Sequence, residues 1–198
     1  MRKVFISGLS VLLLSTTVLA EDLKTILDRV VSLEKEGNYP KALDELGWAR
    51  KEIEKKNSEM IGTLLPDSLA GFTGGKVETN GALGFNTVER EYAGENMKVK
   101  VSITSGGPGG NNQAMGGLAA LGQMAAMFGQ QAGQDVFRVD GMTASLNTEG
   151  STPDLTVFLT GGSILKFELT KGTDTATLKK MAETIGVSKI DSKIKGVS

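Results

Sequence analysis

Apolar residues recur along this chain with two different periods, and the change of period separates a helical part from a sheet part. Between residues 21 and 62 they return every three or four positions, which is the spacing of helices with one buried side. From residue 88 onward they alternate with polar residues, as in strands that have one face in solvent. The pattern predicts an α+β protein in which a helical hairpin precedes a twisted antiparallel sheet.

The helical part, residues 21–62, is predicted to be two helices joined by a short turn at Gly37-Asn38. Pro40 suits the first turn of the second helix. Because the connection is so short, the two helices should be antiparallel. The apolar positions are Leu23, Ile26, Leu27, Val30 and Leu33 in the first helix, and Ala42, Leu43, Leu46, Ala49 and Ile53 in the second.

The turn and the second helix resemble those of a tetratricopeptide repeat. The residues that carry this resemblance are Gly37, Tyr39, Ala42, Leu43, Leu46 and Ala49. The chain holds one copy, whereas such repeats bury their apolar side by stacking and need about three copies to be stable. The hairpin is therefore expected to pack on the following domain or on a partner. Trp48 is accordingly either a packed side chain or an exposed anchor for a partner protein.

Residues 63–198 are predicted to form a second domain, a sheet of about six strands with one face covered by helices. The strands are expected near residues 88–92, 97–104, 137–139, 142–146, 155–159 and 165–169. Helices over residues 113–129 and 174–185 are expected to cover the sheet. Asp174 suits the beginning of the second of these helices, and Gly186 suits its end.

Three turns between these strands can be predicted from their residues. Asp140-Gly141 is typical of a type I′ hairpin turn, and Gly94-Glu95 suits a second tight turn. Residues 161–163 are expected to form a loop of odd length. A loop of that length sets Leu159 opposite Leu165, so that the apolar faces of the two strands match.

Residues 1–20 have the three parts of a secretory signal peptide. Arg2 and Lys3 precede an apolar run over residues 4–14, and Val18-Leu19-Ala20 places small or short side chains at a cleavage site. The run is shorter than the ~20 residues that span a bilayer. We therefore expect cleavage after Ala20, a mature chain that begins at Glu21, no stable membrane span, and a periplasmic location.

The composition excludes several kinds of chemistry, because the chain has no histidine and no cysteine. Sites of the Ser/His/Asp or Cys/His type and zinc sites that use histidine are therefore impossible. The sequence predicts no enzyme, no cofactor and no metal site. Loss of the signal peptide leaves 20 basic and 23 acidic residues and a net charge of −3, which disfavours binding to nucleic acid.

The segment over residues 113–129 carries no charge and is rich in Ala, Gly and Met. Methionine side chains repack readily around varied partners, so this helix is either a fixed cover of the sheet or a mobile lid or partner surface. It is the candidate apolar binding surface of the chain. Its members are Met115, Leu118, Leu121, Met124, Met127 and Phe128.

Two short motifs in the sheet part resemble a known family. Leu65-Pro66 is followed after four residues by Gly71-Phe72, and Met181-Ala182-Glu183-Thr184-Ile185 is followed by Ile190-Asp191. Both resemble the junction and the closing segment of uncharacterised exported proteobacterial proteins that combine a helical hairpin with a PsbP-like α+β domain. The resemblance implies that fold and an accessory role, and it implies no catalytic residue.

Two functions remain open at this point. The first is a non-enzymatic periplasmic binding or accessory protein that engages another envelope protein. The second is a carrier or sensor of a small apolar ligand or lipid, held under the helix over residues 113–129. An enclosed apolar cavity of ~300 Å³ or more beneath that helix would favour the carrier, whereas an exposed Trp48 would favour the accessory protein.

Overall fold

The computed structural model describes residues 22–82, 85–106, 134–149, 152–160 and 162–196. Residues 1–20, predicted to be a signal peptide, and the segment 113–129 lie outside these residues. The chain divides into two compact units, one up to Arg50 and the other from Lys51 onward. The structure is α+β, with four helices and one antiparallel sheet of eight strands among the described residues.

The first unit contains α1 (Leu23–Lys35) and the first part of α2 (Tyr39–Gly62). The chain reverses at Gly37, whose φ of +70° is a left-handed conformation that glycine adopts without strain. Two backbone hydrogen bonds of 2.9 Å close the end of α1. The Gly37 amide donates to the Glu34 carbonyl, and the Asn38 amide donates to the Leu33 carbonyl. An ion pair of 2.9 Å between Arg29 and Glu45 joins the two helices, and Ile26, Ala42 and Ala49 are the buried apolar residues of this unit.

The second unit contains the sheet and two closing helices. The strands are β1 (Ser68–Leu69), β2 (Phe72–Ala82), β3 (Phe85–Ala93), β4 (Lys98–Gly106), β5 (Gln134–Val139), β6 (Met142–Asn147), β7 (Asp154–Phe158) and β8 (Ile164–Lys171). Their order across the sheet is β1-β2-β3-β4-β8-β7-β6-β5, so the last strand in sequence lies beside the fourth. The closing helices are α3 (Ala176–Thr184) and α4 (Val187–Ile194).

The prediction of six strands was too low, because the sequence pattern gave no sign of β1 and β2. β2 contains three glycines and exposes most of its residues, so apolar and polar positions do not alternate along it. Its pairing with β3 also shifts between Gly74 and Val77, which breaks any simple period. α4 was not predicted as a helix either, although it buries Val187 and Ile190.

One turn was predicted correctly and one was displaced. Asp140 and Gly141 have φ values of +49° and +80°, as a type I′ turn requires, and Val139 pairs with Met142 across them. The Gly94-Glu95 prediction was wrong by one position. The Gly94 amide donates to the Met97 carbonyl at 2.9 Å, which leaves Glu95-Asn96 as the two residues of the turn.

The loop between β7 and β8 has an odd length, as predicted, but it lies one residue earlier. The Leu159 amide donates to the Ser163 carbonyl at 3.0 Å, so the loop comprises residues 160–162. Val157 rather than Leu159 therefore lies opposite Leu165. The apolar faces still match, and Lys166 points to the other face, because a shift of two residues leaves each side chain on its own face.

One face of the sheet is buried and carries the core of the second unit. From Val99 in β4 and up to Leu169 in β8, buried and half-buried positions alternate. α3 and α4 contribute Leu178, Met181, Ala182, Val187 and Ile190 to this core. Both predictions for the ends of α3 are confirmed: Asp174 accepts the Ala176 amide at 3.0 Å, and Gly186 follows the helix with a φ of +78°.

Candidate functional site

The exposed large apolar residues of the first unit are concentrated on its two helices. Five of them form what we call the apolar face: Leu27, Val31, Tyr39, Leu43 and Leu46. Leu43 and Tyr39 are the most open, with 67% and 63% of their surface accessible. Soluble monomers rarely expose a contiguous apolar patch unless it binds something, so this face is a candidate contact surface.

Trp48 lies on a different side of α2 from the apolar face. It follows Lys41 and Glu45 at helical spacing, so these three side chains project from one side of α2. We call this the Trp48 face. Trp48 is 60% exposed.

An open cleft of about 400 Å³ lies on the hairpin. It is lined by Arg29, Ser32, Leu33, Lys41, Asp44 and Glu45. Its lining therefore carries two cations and two carboxylates, and Lys41 and Glu45 belong to the Trp48 face. Trp48 follows Glu45 by about one turn of α2, and the residues that dominate binding in protein contact sites are enriched in tryptophan and arginine.

A second groove, of about 540 Å³, lies in the sheet unit between the end of α2 and β2. Arg90 of β3 reaches into it, with 11% of its side chain exposed. Its guanidinium donates to the carbonyls of Leu65 at 2.8 Å and Gly75 at 2.7 Å, and to the Asp67 carboxylate at 2.7 Å. The charge of Arg90 is therefore directed at the chain itself and holds the junction between α2 and the sheet.

Gly74 makes room for this arrangement. A Cβ atom at residue 74 would lie 2.5 Å from Nε of Arg90, which is shorter than any normal contact. The Gly74 carbonyl also lies 3.5 Å from a terminal nitrogen of Arg90. Arg90 and Gly74 thus act together to fix the Leu65-Pro66 junction. The sequence pattern identified neither of them.

Tyr92, two residues further along β3, fixes the same junction from the core side. It is fully buried, and its hydroxyl donates to the Pro66 carbonyl at 2.8 Å. Burial disfavours the phenolate and raises the pKa of Tyr92 to about 12, although the nearby charge of Arg90 works in the opposite direction. Tyr92 is therefore neutral in any physiological buffer and serves as a hydrogen-bond donor.

This pKa predicts an alkaline loss of stability. Tyrosine in the unfolded chain ionises near pH 10, whereas folded Tyr92 keeps its proton to about pH 12. The Tyr92 contribution is therefore constant below about pH 10 and falls by roughly 1.4 kcal/mol per pH unit from there to about pH 12.

Urea unfolding followed by circular dichroism should show this difference between the native chain and Tyr92→Phe. Every other ionisable group is common to both proteins, so its contribution cancels in the comparison. The free energy of unfolding of the native chain should fall toward that of Tyr92→Phe as the pH rises. Parallel curves would contradict the assignment.

Charged side chains on the other face of the sheet pair with one another. Lys166 lies 3.1 Å from Glu168 and 3.9 Å from Asp154, and Lys100 lies 3.5 Å from Glu168. Partial burial works to raise the pKa of Glu168, but the hydrogen bond from Lys166 and the charges of both lysines outweigh it and lower the pKa. Glu168 is therefore ionised near neutral pH and suited to an ion pair rather than to proton transfer.

The six residues predicted as an apolar binding surface, Met115, Leu118, Leu121, Met124, Met127 and Phe128, lie outside the described residues. Trp48 is the predicted site residue that the structure places. Within the described parts of the chain, no three carboxylates are grouped as metal ligands. The described helices include none long and apolar enough to cross a membrane.

Comparison of the chain with protein-family models, with curated proteins and with solved structures finds no match in any of the three.

Proposed function

We propose that this chain is an exported, non-enzymatic binding protein that engages another envelope protein through the Trp48 face of its hairpin. The export step follows from the signal-peptide pattern of residues 1–20. The mature chain, with a small negative charge, would bind its partner through shape and apolar contact rather than through a strong field.

The exposure of Trp48 is the observation that carries this proposal. A tryptophan side chain with 60% of its surface accessible to solvent buries a large area when a partner covers it. It loses little conformational freedom in doing so. The neighbouring cleft adds charges of both signs in fixed positions, since Arg29 and Glu45 hold each other at 2.9 Å. Such an arrangement suits a protein surface with its own mixed charges better than a small apolar ligand, which would need an enclosed pocket.

Site-specific photocrosslinking in the periplasm tests the proposal. A benzophenone amino acid replaces Trp48 in the full-length precursor, and a matched variant carries it at Glu183, an exposed position of α3. We expect a discrete protein adduct from position 48 and none from position 183. Mass spectrometry of the adduct should find the N-terminus of this chain at Glu21.

Three results would contradict the proposal. Equal labelling from both positions would mean that the contact is non-specific. An adduct that contains lipid alone would favour the carrier hypothesis. An intact form that begins at Met1 and stays in the cytosol would refute export.

A further inference from the structure

The apolar face of the hairpin has a geometry that fits a second copy of itself. Its residues are Leu27 and Val31 on α1 and Tyr39, Leu43 and Leu46 on α2. The short turn at Gly37 and the ion pair between Arg29 and Glu45 together indicate how the two helices are placed along their common axis. This placement determines on which side of the hairpin each residue lies and its height, meaning its position along the axis of the hairpin.

The residues of the apolar face lie on one side of the hairpin. Leu27 directly follows buried Ile26 in α1, and Leu43 directly follows buried Ala42 in α2. One residue turns a helix by about 100°, in the same sense when each helix is viewed from its own N-terminus. Because the two helices are antiparallel and face each other, this rotation carries Leu27 and Leu43 to the same side.

The apolar residues of the two helices also lie at matching heights. The helices run in opposite directions from the turn at Gly37, and Arg29 and Glu45, which form an ion pair, each lie eight residues from that turn, so they are about level. Val31, two residues after Arg29, is therefore level with Leu43, two residues before Glu45. By the same count, Leu27 lies level with residue 47, beside Leu46.

We propose that this chain forms a two-fold dimer in which the apolar faces of two hairpins pack together as a four-helix bundle. A two-fold axis parallel to the helices places α1 of one copy across from α2 of the other. Because the heights match, Val31 then meets Leu43 of the second copy, and Leu27 meets its Leu46. Facing helices are antiparallel in this arrangement, as in bundles with short connections, and the interface is isologous.

The charges near the apolar face favour a second copy over a membrane as its occupant. Lys24, close to Leu27, is paired with Asp28 of the same helix at 2.6 Å. α2 carries Asp44 beside Leu43 and Arg50 one turn after Leu46, so both helices mix the two signs. A face that binds anionic lipid would instead be bordered by lysine and arginine. The five apolar side chains carry no charge, so the contacts among them bury no ion.

This proposal is independent of the partner contact at Trp48. Trp48 is two residues after Leu46 and five after Leu43, which places it on the opposite side of α2. A dimer formed through the apolar face therefore leaves both Trp48 faces open, and either contact can fail without the other.

Sedimentation equilibrium of the mature chain, residues 21–198, tests the dimer. We expect twice the monomer mass for the native chain at micromolar concentration. Leu43→Glu should weaken the dimer at least about 100-fold, because it would bury an unpaired carboxylate. Lys41→Glu, an exposed substitution on the other side of α2, should leave the dimer unchanged. Leu27→Glu on α1 provides a second disruptive variant if Leu43→Glu fails to fold.

The absence of cysteine allows a direct test of the register. Val31→Cys and Leu43→Cys are prepared separately, mixed and oxidised. We expect a mixed disulfide between the two variants, formed faster than in a control mixture of Trp48→Cys and Lys41→Cys.

Four results would overturn the proposal. They are a monomeric native chain at ~100 μM, a dimer unaffected by both glutamate variants, equal rates in the two cysteine mixtures, and a monomer that floats with phosphatidylglycerol vesicles in a Leu43-dependent way.

Discussion

Arg90→Met should lower the free energy of unfolding of the sheet unit by about 3 kcal/mol. Methionine keeps most of the volume of the side chain but removes the charged donor from the carbonyls of Leu65 and Gly75. Hydrogen bonds to charged groups contribute about 1.5–3 kcal/mol each. The measurement is urea unfolding followed by circular dichroism in the far ultraviolet. Trp48 fluorescence would not serve, because this single tryptophan belongs to the other unit.

Lys98→Met is the matched control for Arg90→Met. Lys98 pairs with Glu91 on the surface, where both partners are about half exposed, and its loss should cost less than about 1 kcal/mol. Gly74→Ala should destabilise the native chain because the new methyl group displaces Arg90, and it should cost less in the Arg90→Met background. Equal costs for Arg90→Met and Lys98→Met would contradict this account of the junction.

Phe167→Ala should cost about 3–5 kcal/mol, the largest effect expected for a single core substitution in the sheet. Phe167 is fully buried on β8 and lies opposite Val101 of β4 on one side and Leu155 of β7 on the other. Its removal therefore leaves a cavity at the point where the two halves of the sheet meet. Urea unfolding followed by circular dichroism measures the effect.

Lys166→Ala is the control for Phe167→Ala, because Lys166 directly precedes Phe167 in β8 and its side chain lies on the opposite face of the sheet. Its loss should cost less than about 1 kcal/mol, because its ion pairs are partly exposed. A cost of Phe167→Ala below about 2 kcal/mol would mean that the core relaxes to fill the cavity. It would contradict a tightly packed β4–β8 contact.

The local signals of the sequence predicted the parts of the fold that depend on local conformation. Asp140-Gly141 could be assigned because a type I′ turn needs positive φ at both positions, and few residue pairs adopt it. The sequence predicted correctly that the β7–β8 loop has an odd number of residues, but not at which residue the loop begins. Alternation defines the face of each side chain, and it is unchanged when the register moves by two residues.

Features that depend on distant contacts could not be predicted. Gly94 suggested a turn residue, yet a Cβ there would lie 2.7 Å from the ring of Phe72 on β2, so glycine also satisfies a contact in space. Arg90 gave no signal at all, because two of its acceptors are backbone carbonyls of residues 65 and 75, which any sequence supplies. A buried arginine of this kind becomes visible only when the strands are paired.

The candidate site also has one part that the sequence predicted and another that it could not predict. Helical spacing placed Leu43 and Leu46 on the apolar stripe of α2, but only the structure shows that these residues remain exposed whereas Ala42 and Ala49 are buried. Sequence periodicity cannot make this distinction, since it treats every apolar residue alike.

The position of β8 in the sheet has a consequence for the order in which the chain can fold. β4 pairs with β8, so Val99 meets Leu169, and the first four strands cannot join the rest of the sheet until residues 164–171 have been made. Until then β4 and β7 each present an open edge to which another chain can add. Closing so long a loop is slow. A nascent chain therefore has an interval in which it needs protection from aggregation, and a truncation before residue 164 would make that interval permanent.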